Sequence, residues 1–298
     1  MTRKILLFIL CLMMAATLAG CGEDVWEDNY QQNNEDRDIG VYADTAGEQD
    51  DEGDSGKAAD SREILSVENF AARLEAEYSI LLEDEDGVLS GAAGQMLMGE
   101  IDKGFKLFSS GFIRKMTDFY SEYDSQFILR IKQAPYNGDQ GIAEWEDDIT
   151  IILYYDSDPE LNGVTVPVMV HEFGHAAHFI VEEYIGEAQS ESDMKAFNGD
   201  FSYDKDHYDE LWDEEIHGAV FAYDYGMSDY YEDIATVFEM LAEEPEKMHS
   251  RLIDTRNEPL FLKTSYIRGI MYQYISNECY AIFEPLYHAE EYWRQPAA

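Results

Sequence analysis

Val168-Met169-Val170-His171-Glu172-Phe173-Gly174-His175 places two imidazoles four residues apart, with a carboxylate beside the first. On a helix, residues four apart share one face with Cβ atoms about 5–6 Å from each other. Both rings can then reach one zinc ion at about 2.0–2.1 Å. The Glu next to the first His points beside the metal, where it can take a proton from water and return it to a leaving amine. The flanks predict a helix over 165–185. Thr165 suits the N-cap, Pro167 falls in the first turn, where its missing N–H does no harm, and Gly186 suits the end. Val168, Phe173, Ala176, Ala177, Phe179 and Ile180 make the surroundings apolar. Polar groups buried there without partners are unfavourable, so His171, Glu172 and His175 call for a ligand.

Two imidazoles leave a catalytic zinc one protein ligand short. The metzincin pattern would place that ligand at 181 after a glycine at 178, but those positions hold Val181 and His178. His178 is expected to pack or hydrogen-bond on the helix flank. A gluzincin instead takes a Glu from a second helix downstream. In Tyr225-Gly226-Met227-Ser228-Asp229-Tyr230-Tyr231-Glu232-Asp233-Ile234-Ala235-Thr236-Val237-Phe238, an apolar stripe of Ile234, Ala235, Phe238 and Leu241 predicts a helix from about 231. Glu232 stands at its start as the candidate third ligand, with Asp233 as its rival. His217 is expected at the surface, with the cleft as its alternative place.

Taken together, H-E-F-G-H-A at 171–176 and Y-G-x-x-x-x-x-E-x-x-A-x-x-F at 225–238 resemble the catalytic domain of the anthrax lethal factor family of metallopeptidases. The resemblance covers about 168–240. It implies that His171, His175 and Glu232 bind zinc, that Glu172 is the base, and that Tyr225 stands near the metal and assists the reaction. One position departs from the family pattern. An acidic residue that supports the site four places after the ligand Glu is Thr236 here, leaving Asp233 or Glu239 to replace it.

Outside that region, Val67, Phe70, Ala71, Leu74 and Tyr78 recur at helical spacing, and 97–123 reads as helix interrupted near Gly104 and Gly111. The β-branched and aromatic runs 127–131 and 149–155 read as strands, separated by turn residues such as Pro135, Asn137-Gly138 and Pro159. Beyond Val164 the pattern is mostly helical, and Tyr266 to Tyr287 reads as a packing helix. The expected fold is α+β and zincin-like: a small twisted sheet packed on the 165–185 helix, with a mostly helical C-terminal part. The edge strand, expected at 149–155, would hold an extended substrate by strand addition. Residues 61–298 form the expected metallopeptidase domain, with 61–125 a helical N-terminal part and 126–298 the catalytic part.

The first twenty residues read as a lipoprotein signal peptide. Arg3 and Lys4 precede an apolar run, Ile5 to Ala16, that is short for a membrane span, and Leu18-Ala19-Gly20-Cys21 resembles a bacterial lipobox. Cys21 is then the lipid anchor, placing the protein outside the cytoplasm on a membrane. Residues 21–60, rich in Asn, Gln and acidic side chains, read as a disordered tether. Cys279 is left without an internal disulfide partner and reads as a small buried hydrophobe. The chain has 20 basic and 63 acidic residues, and losing Arg3 and Lys4 with the signal leaves a net charge near −45. That sign excludes sequence-independent nucleic-acid binding as a main function. The expected activity is zinc-dependent hydrolysis of a peptide or protein substrate. A silent zincin scaffold that binds a surface partner, and an amidase acting on cell-wall peptides, are the alternatives. Replacing Cys21→Ala is expected to release the protein into the medium or leave it unprocessed, as fractionation and intact mass will report.

Overall fold

The computed structural model describes residues 66–134, 140–158, 162–278 and 281–294. The chain divides after Arg62, and the first unit lies outside the described residues. So do Cys21, the turn residues Pro135, Asn137, Gly138 and Pro159, and Cys279.

Helix α1 (Val67–Tyr78) is capped by Ser66, whose hydroxyl accepts from the Asn69 N–H, and it buries Phe70 and Leu74. Ser79 ends it in the left-handed region and turns the chain into strand β1 (Ile80–Asp84). Helices α2 (Gly94–Leu107) and α3 (Ser110–Glu122) follow. The interruption expected near Gly104 and Gly111 falls instead at Phe108 and Ser109, where the Ser109 hydroxyl caps α3. Both glycines lie inside helices. A Cβ on Gly104 would sit 2.6 Å from the Met169 sulfur, and one on Gly111 would meet the Glu278 carboxylate. At these positions glycine admits a close neighbour rather than breaking a helix.

Strands β2 (Phe127–Gln133), β3 (Gly141–Trp145) and β4 (Ile149–Tyr155) complete a four-stranded sheet in the order β1-β2-β4-β3. The first three strands in that order run parallel, and β3 runs antiparallel to β4 with Gly141 opposite Leu153 and Trp145 opposite Ile149. This corrects the expectation that 149–155 is the edge. Ile149 to Leu153 are all buried, as a mostly apolar run, broken only by Thr150, suits a strand covered on both faces. The edges are β1 and β3, and the one against α4, β3, has a Gly-Ile-Ala-Glu-Trp sequence without such a run.

Helix α4 (Val166–Ile185) packs on β3 and β4 and against α7 (Tyr230–Glu243). Between them lie α5 (Glu187–Phe197), α6 (Tyr208–Leu211) and the short 3₁₀ turns His217–Ala219 and Tyr225–Met227. Helices α8 (Pro245–Leu252), α9 (Glu258–Tyr274) and α10 (Glu284–Arg294) finish the described chain. The helix expected over Tyr266 to Tyr287 is therefore two, ending at Tyr274 and restarting at Glu284. The architecture is α+β, a small sheet among mostly helices. Its core gathers on Phe173 of α4, with the rings of Phe105, Phe127 and Phe108 at 5.3, 5.5 and 5.7 Å.

The α4–α7 contact depends on one missing side chain. A Cβ on Gly174 would lie 3.0 Å from the Phe238 ring and 3.3 Å from the Ala235 Cα. Gly174→Val is expected to overpack this seam and lower the unfolding free energy by about 1–3 kcal/mol, measured by urea denaturation. An unchanged midpoint would mean that the two helices can separate freely.

Candidate active site

His171, Glu172 and His175 sit on the inner face of α4, each less than a tenth exposed. Glu232 enters from the first turn of α7. The His175 Nε2 lies 3.2 Å from the His171 Nε2, and one Glu232 oxygen lies 3.0 Å from the first ring and 3.3 Å from the second. Three ligand atoms at about 2.0–2.1 Å in tetrahedral array around one zinc ion are separated by about 3.3 Å. The three groups thus have the spacing of a metal-binding triad, and no other group of three or more His, Cys, Asp or Glu has it among the described residues. Two imidazoles and one carboxylate suit zinc better than magnesium or calcium, which favour shells of oxygen alone.

The crowded imidazoles and carboxylates shift one another's titration. Burial opposes a charge on His171, but the hydrogen bonds it donates to the Glu232 and Glu239 carboxylates outweigh it and lift that imidazole to about 10. Against its own burial, Glu232 is held well below the carboxylate range by the two imidazoles. Burial raises Glu172, although His171 and His175 pull it back. A carboxylate raised in this way is a better proton acceptor.

Several side chains hold the triad. A Glu239 oxygen lies 2.9 Å from His171 Nδ1, leaving the Nε2 for the centre. Of the two candidates for the role left open by Thr236, Glu239 is the one beside His171, two turns past Glu232 on the same face of α7. Thr236 has a packing duty instead, since a Cβ on Gly226 would come 2.6 Å from its hydroxyl. Gly226 lets the Tyr225 turn lie close on α7. Asp229 caps that helix, accepting from the N–H groups of Tyr231 and Glu232 at 2.9 and 3.0 Å. On α4, Glu182 accepts from the hydroxyls of Tyr230 and Tyr231. Neither Asp229 nor Glu182 was found from the sequence, although an Asp three residues before Glu232 is a capping signal.

The rival ligand Asp233 faces away from the centre. It is fully buried, 2.6 Å from the Lys263 ammonium and 2.7 Å from the Tyr203 hydroxyl, and Lys263 also lies 4.3 Å from the centre of the Phe221 ring. His178 is also buried, with its Nε2 2.6 Å from the Ser190 hydroxyl, and burial pushes it down to about 3. His217 is partly buried between Phe201 and Trp212, outside the cleft lining, and its Nδ1 accepts from the Asp213 N–H.

A cleft of about 770 Å³ opens on the triad, floored by α4 and walled by Gln140 and by β3 from Gly141 to Ala143. Tyr225 lines it with its ring nearly parallel to that of His171, centroids 6.0 Å apart, and Glu232 lies near enough to act on its phenol. Burial first, and Glu232 second, hold its phenol proton on well above the ordinary range. Tyr208, which no sequence pattern marked, packs on Tyr225 at 5.4 Å and lines the same wall.

Comparisons with protein-family models and with curated proteins find no match to the chain. Among solved structures it is similar to a Bacteroides caccae protein whose assignment as a zinc-binding metallo-peptidase is itself provisional. The likeness has 13% identity and a TM-score of 0.48, over 76% of this chain and 93% of the other.

Glu239→Gln keeps the shape at His171 Nδ1 but loses the charge. It is expected to weaken zinc binding about 10–100-fold in a competition titration with a chromophoric chelator. Unchanged affinity would remove Glu239 from the support of the centre.

Proposed function

We propose that this chain is a zinc-dependent peptidase of the gluzincin type, with His171, His175 and Glu232 as the metal ligands. The observation that carries the proposal is the convergence of these three side chains, from two helices, at the mutual spacing of a tetrahedral shell. The motif resemblance to the lethal factor family and the zincin-like arrangement of sheet and helix support it. Zinc bound there supplies Lewis acidity, polarising the scissile carbonyl and making water more acidic.

The chain's own groups supply the rest. Glu172, next to the first ligand, accepts the proton of the attacking water and delivers it to the leaving amine as the C–N bond breaks. Tyr225, beside His171 and Glu232, donates from its retained phenol proton to the oxygen that gains negative charge. Edge strand β3 offers unpaired backbone groups along the cleft, so an extended peptide can pair there with its scissile bond over the centre. The presence of Glu172 favours catalysis over the silent-scaffold alternative, since holding a metal alone needs no base at that place. The lipobox-like Leu18-Ala19-Gly20-Cys21 supports action at a membrane surface outside the cytoplasm, through a lipid on Cys21. Among the described residues, no helix is long and apolar enough to cross a membrane.

The experiment measures bound zinc by elemental analysis, and hydrolysis of a quenched peptide library, for wild type and Glu172→Gln. Both proteins are expected to hold near-stoichiometric zinc, with turnover in the variant at least about 10²-fold lower. Full activity in the variant, or no hydrolysis of any peptide by zinc-loaded wild type, would contradict the proposal.

A further inference from the structure

The cleft does not end at the metal-binding triad. Along α4, the residues facing it run from Val168 through His171 and His175 to Phe179, while α7 passes in the opposite sense, with Glu239 beside His171 and Tyr231 beside Phe179. Strand β3 lies alongside. A Cβ on Gly141 would point at Val168 and Glu172, so Gly141, Ala143 and Trp145 share the face towards α4. From Gly141 to Trp145 the strand covers about 13 Å, at about 3.3 Å per residue.

At that far end Trp145 meets a group of aromatic rings from three helices. Its ring lies 5.8 Å from Tyr123 and 6.2 Å from Phe119, and Phe119 in turn touches Tyr123 at 5.0 Å and Tyr184 at 5.8 Å. Tyr184 stacks on Tyr274 of α9 at 5.2 Å. Phe119 is buried, but Tyr123 and Tyr184 are 53% and 57% exposed. Single exposed apolar residues need no explanation, whereas two that flank one buried ring, just past the cleft lining at Ala143 and Phe179, do.

Resting on the peptidase reading above, we propose that Tyr123, Trp145 and Tyr184 form a substrate subsite. It receives an aromatic or large apolar side chain of an extended polypeptide, about four residues from the scissile bond on the Phe179 side. The kind of occupant follows from the strand. Strand β3 is a sheet edge with no strand partner on its outer side among the described residues. It carries neither Pro nor Lys, two of the usual guards against pairing. A polypeptide strand satisfies that row of backbone groups, and a strand laid there from Gly141 arrives at the tyrosines. Aromatic pairing then adds affinity at low entropic penalty, because each tyrosine has few rotamers to lose.

The test uses zinc-loaded Glu172→Gln protein, which binds without turnover, and two fluorescent peptides made around a cleavage site found in the library. The long peptide carries Phe four residues from the scissile bond, and the short one stops before it. Tyr123→Ala/Tyr184→Ala is expected to weaken binding of the long peptide about tenfold, leaving the short peptide, zinc content and melting temperature unchanged. In the otherwise wild-type background the same pair should raise KM for the long peptide and leave kcat alone. Equal losses on both peptides, or no loss on either, would overturn the subsite. Self-association or vesicle binding abolished by the pair, with peptide affinity intact, would also overturn it by giving the patch another occupant. A wild type that hydrolyses nothing in the library defeats the peptidase proposal, on which the subsite rests, whereas hydrolysis with equal losses on both peptides defeats the subsite alone.

Discussion

The site exists because two helices can approach each other closely at Gly174. The two histidines on α4 and Glu232 on α7 are separated by more than fifty residues, so only the packing of one helix on the other can bring a Glu232 oxygen within 3.0 Å of His171 and 3.3 Å of His175. A side chain at 174 would wedge the seam at Ala235 and Phe238. Phe173, one residue away, faces the opposite way into the ring cluster of Phe105, Phe108 and Phe127 and fixes the roll of α4. Core and site are thus two faces of one helix, and neither can move alone.

Around that seam, buried polar groups fall into partnered sets. Asp229 fixes the first turn of α7, Glu182 ties Tyr230 and Tyr231 back to α4, and Glu239 orients His171. Asp233 and Lys263 form an ion pair with no exposed surface, joined by Tyr203 from the irregular stretch between α5 and α7. Removing either charge alone would strand the other in an apolar setting, a far larger penalty than the pair's net contribution. That stretch also carries Tyr208 and Tyr225 to the cleft, so the buried pair helps anchor a wall of the site.

Much of this was legible in the chain. Spacing placed His171, Glu172 and His175 on one helical face, and the apolar stripe after Asp229 located α7 with Glu232 at its start. What periodicity could not show was which neighbour a side chain faces. Asp233 and Glu232 are adjacent and chemically alike, and only the position of Lys263 separates them. Thr236 stood where an acid was expected, and its replacement lay three residues further on, a distance that matters only once α7 is laid against His171. Gly104 and Gly111 read as breaks because a sequence does not show the atom that a Cβ would strike. Strand β3 was missed, and 149–155 took its place at the edge, because five mixed residues give a weaker signal than a seven-residue run of β-branched, apolar and aromatic ones. Its role as cleft wall follows from strand order, a long-range property.

X-ray absorption at the zinc edge of the purified protein addresses the centre itself. The account requires zinc with imidazole scattering from two histidines and light-atom neighbours at about 2.0–2.1 Å. A protein that takes up no zinc, or whose spectrum lacks the imidazole pattern, would contradict it.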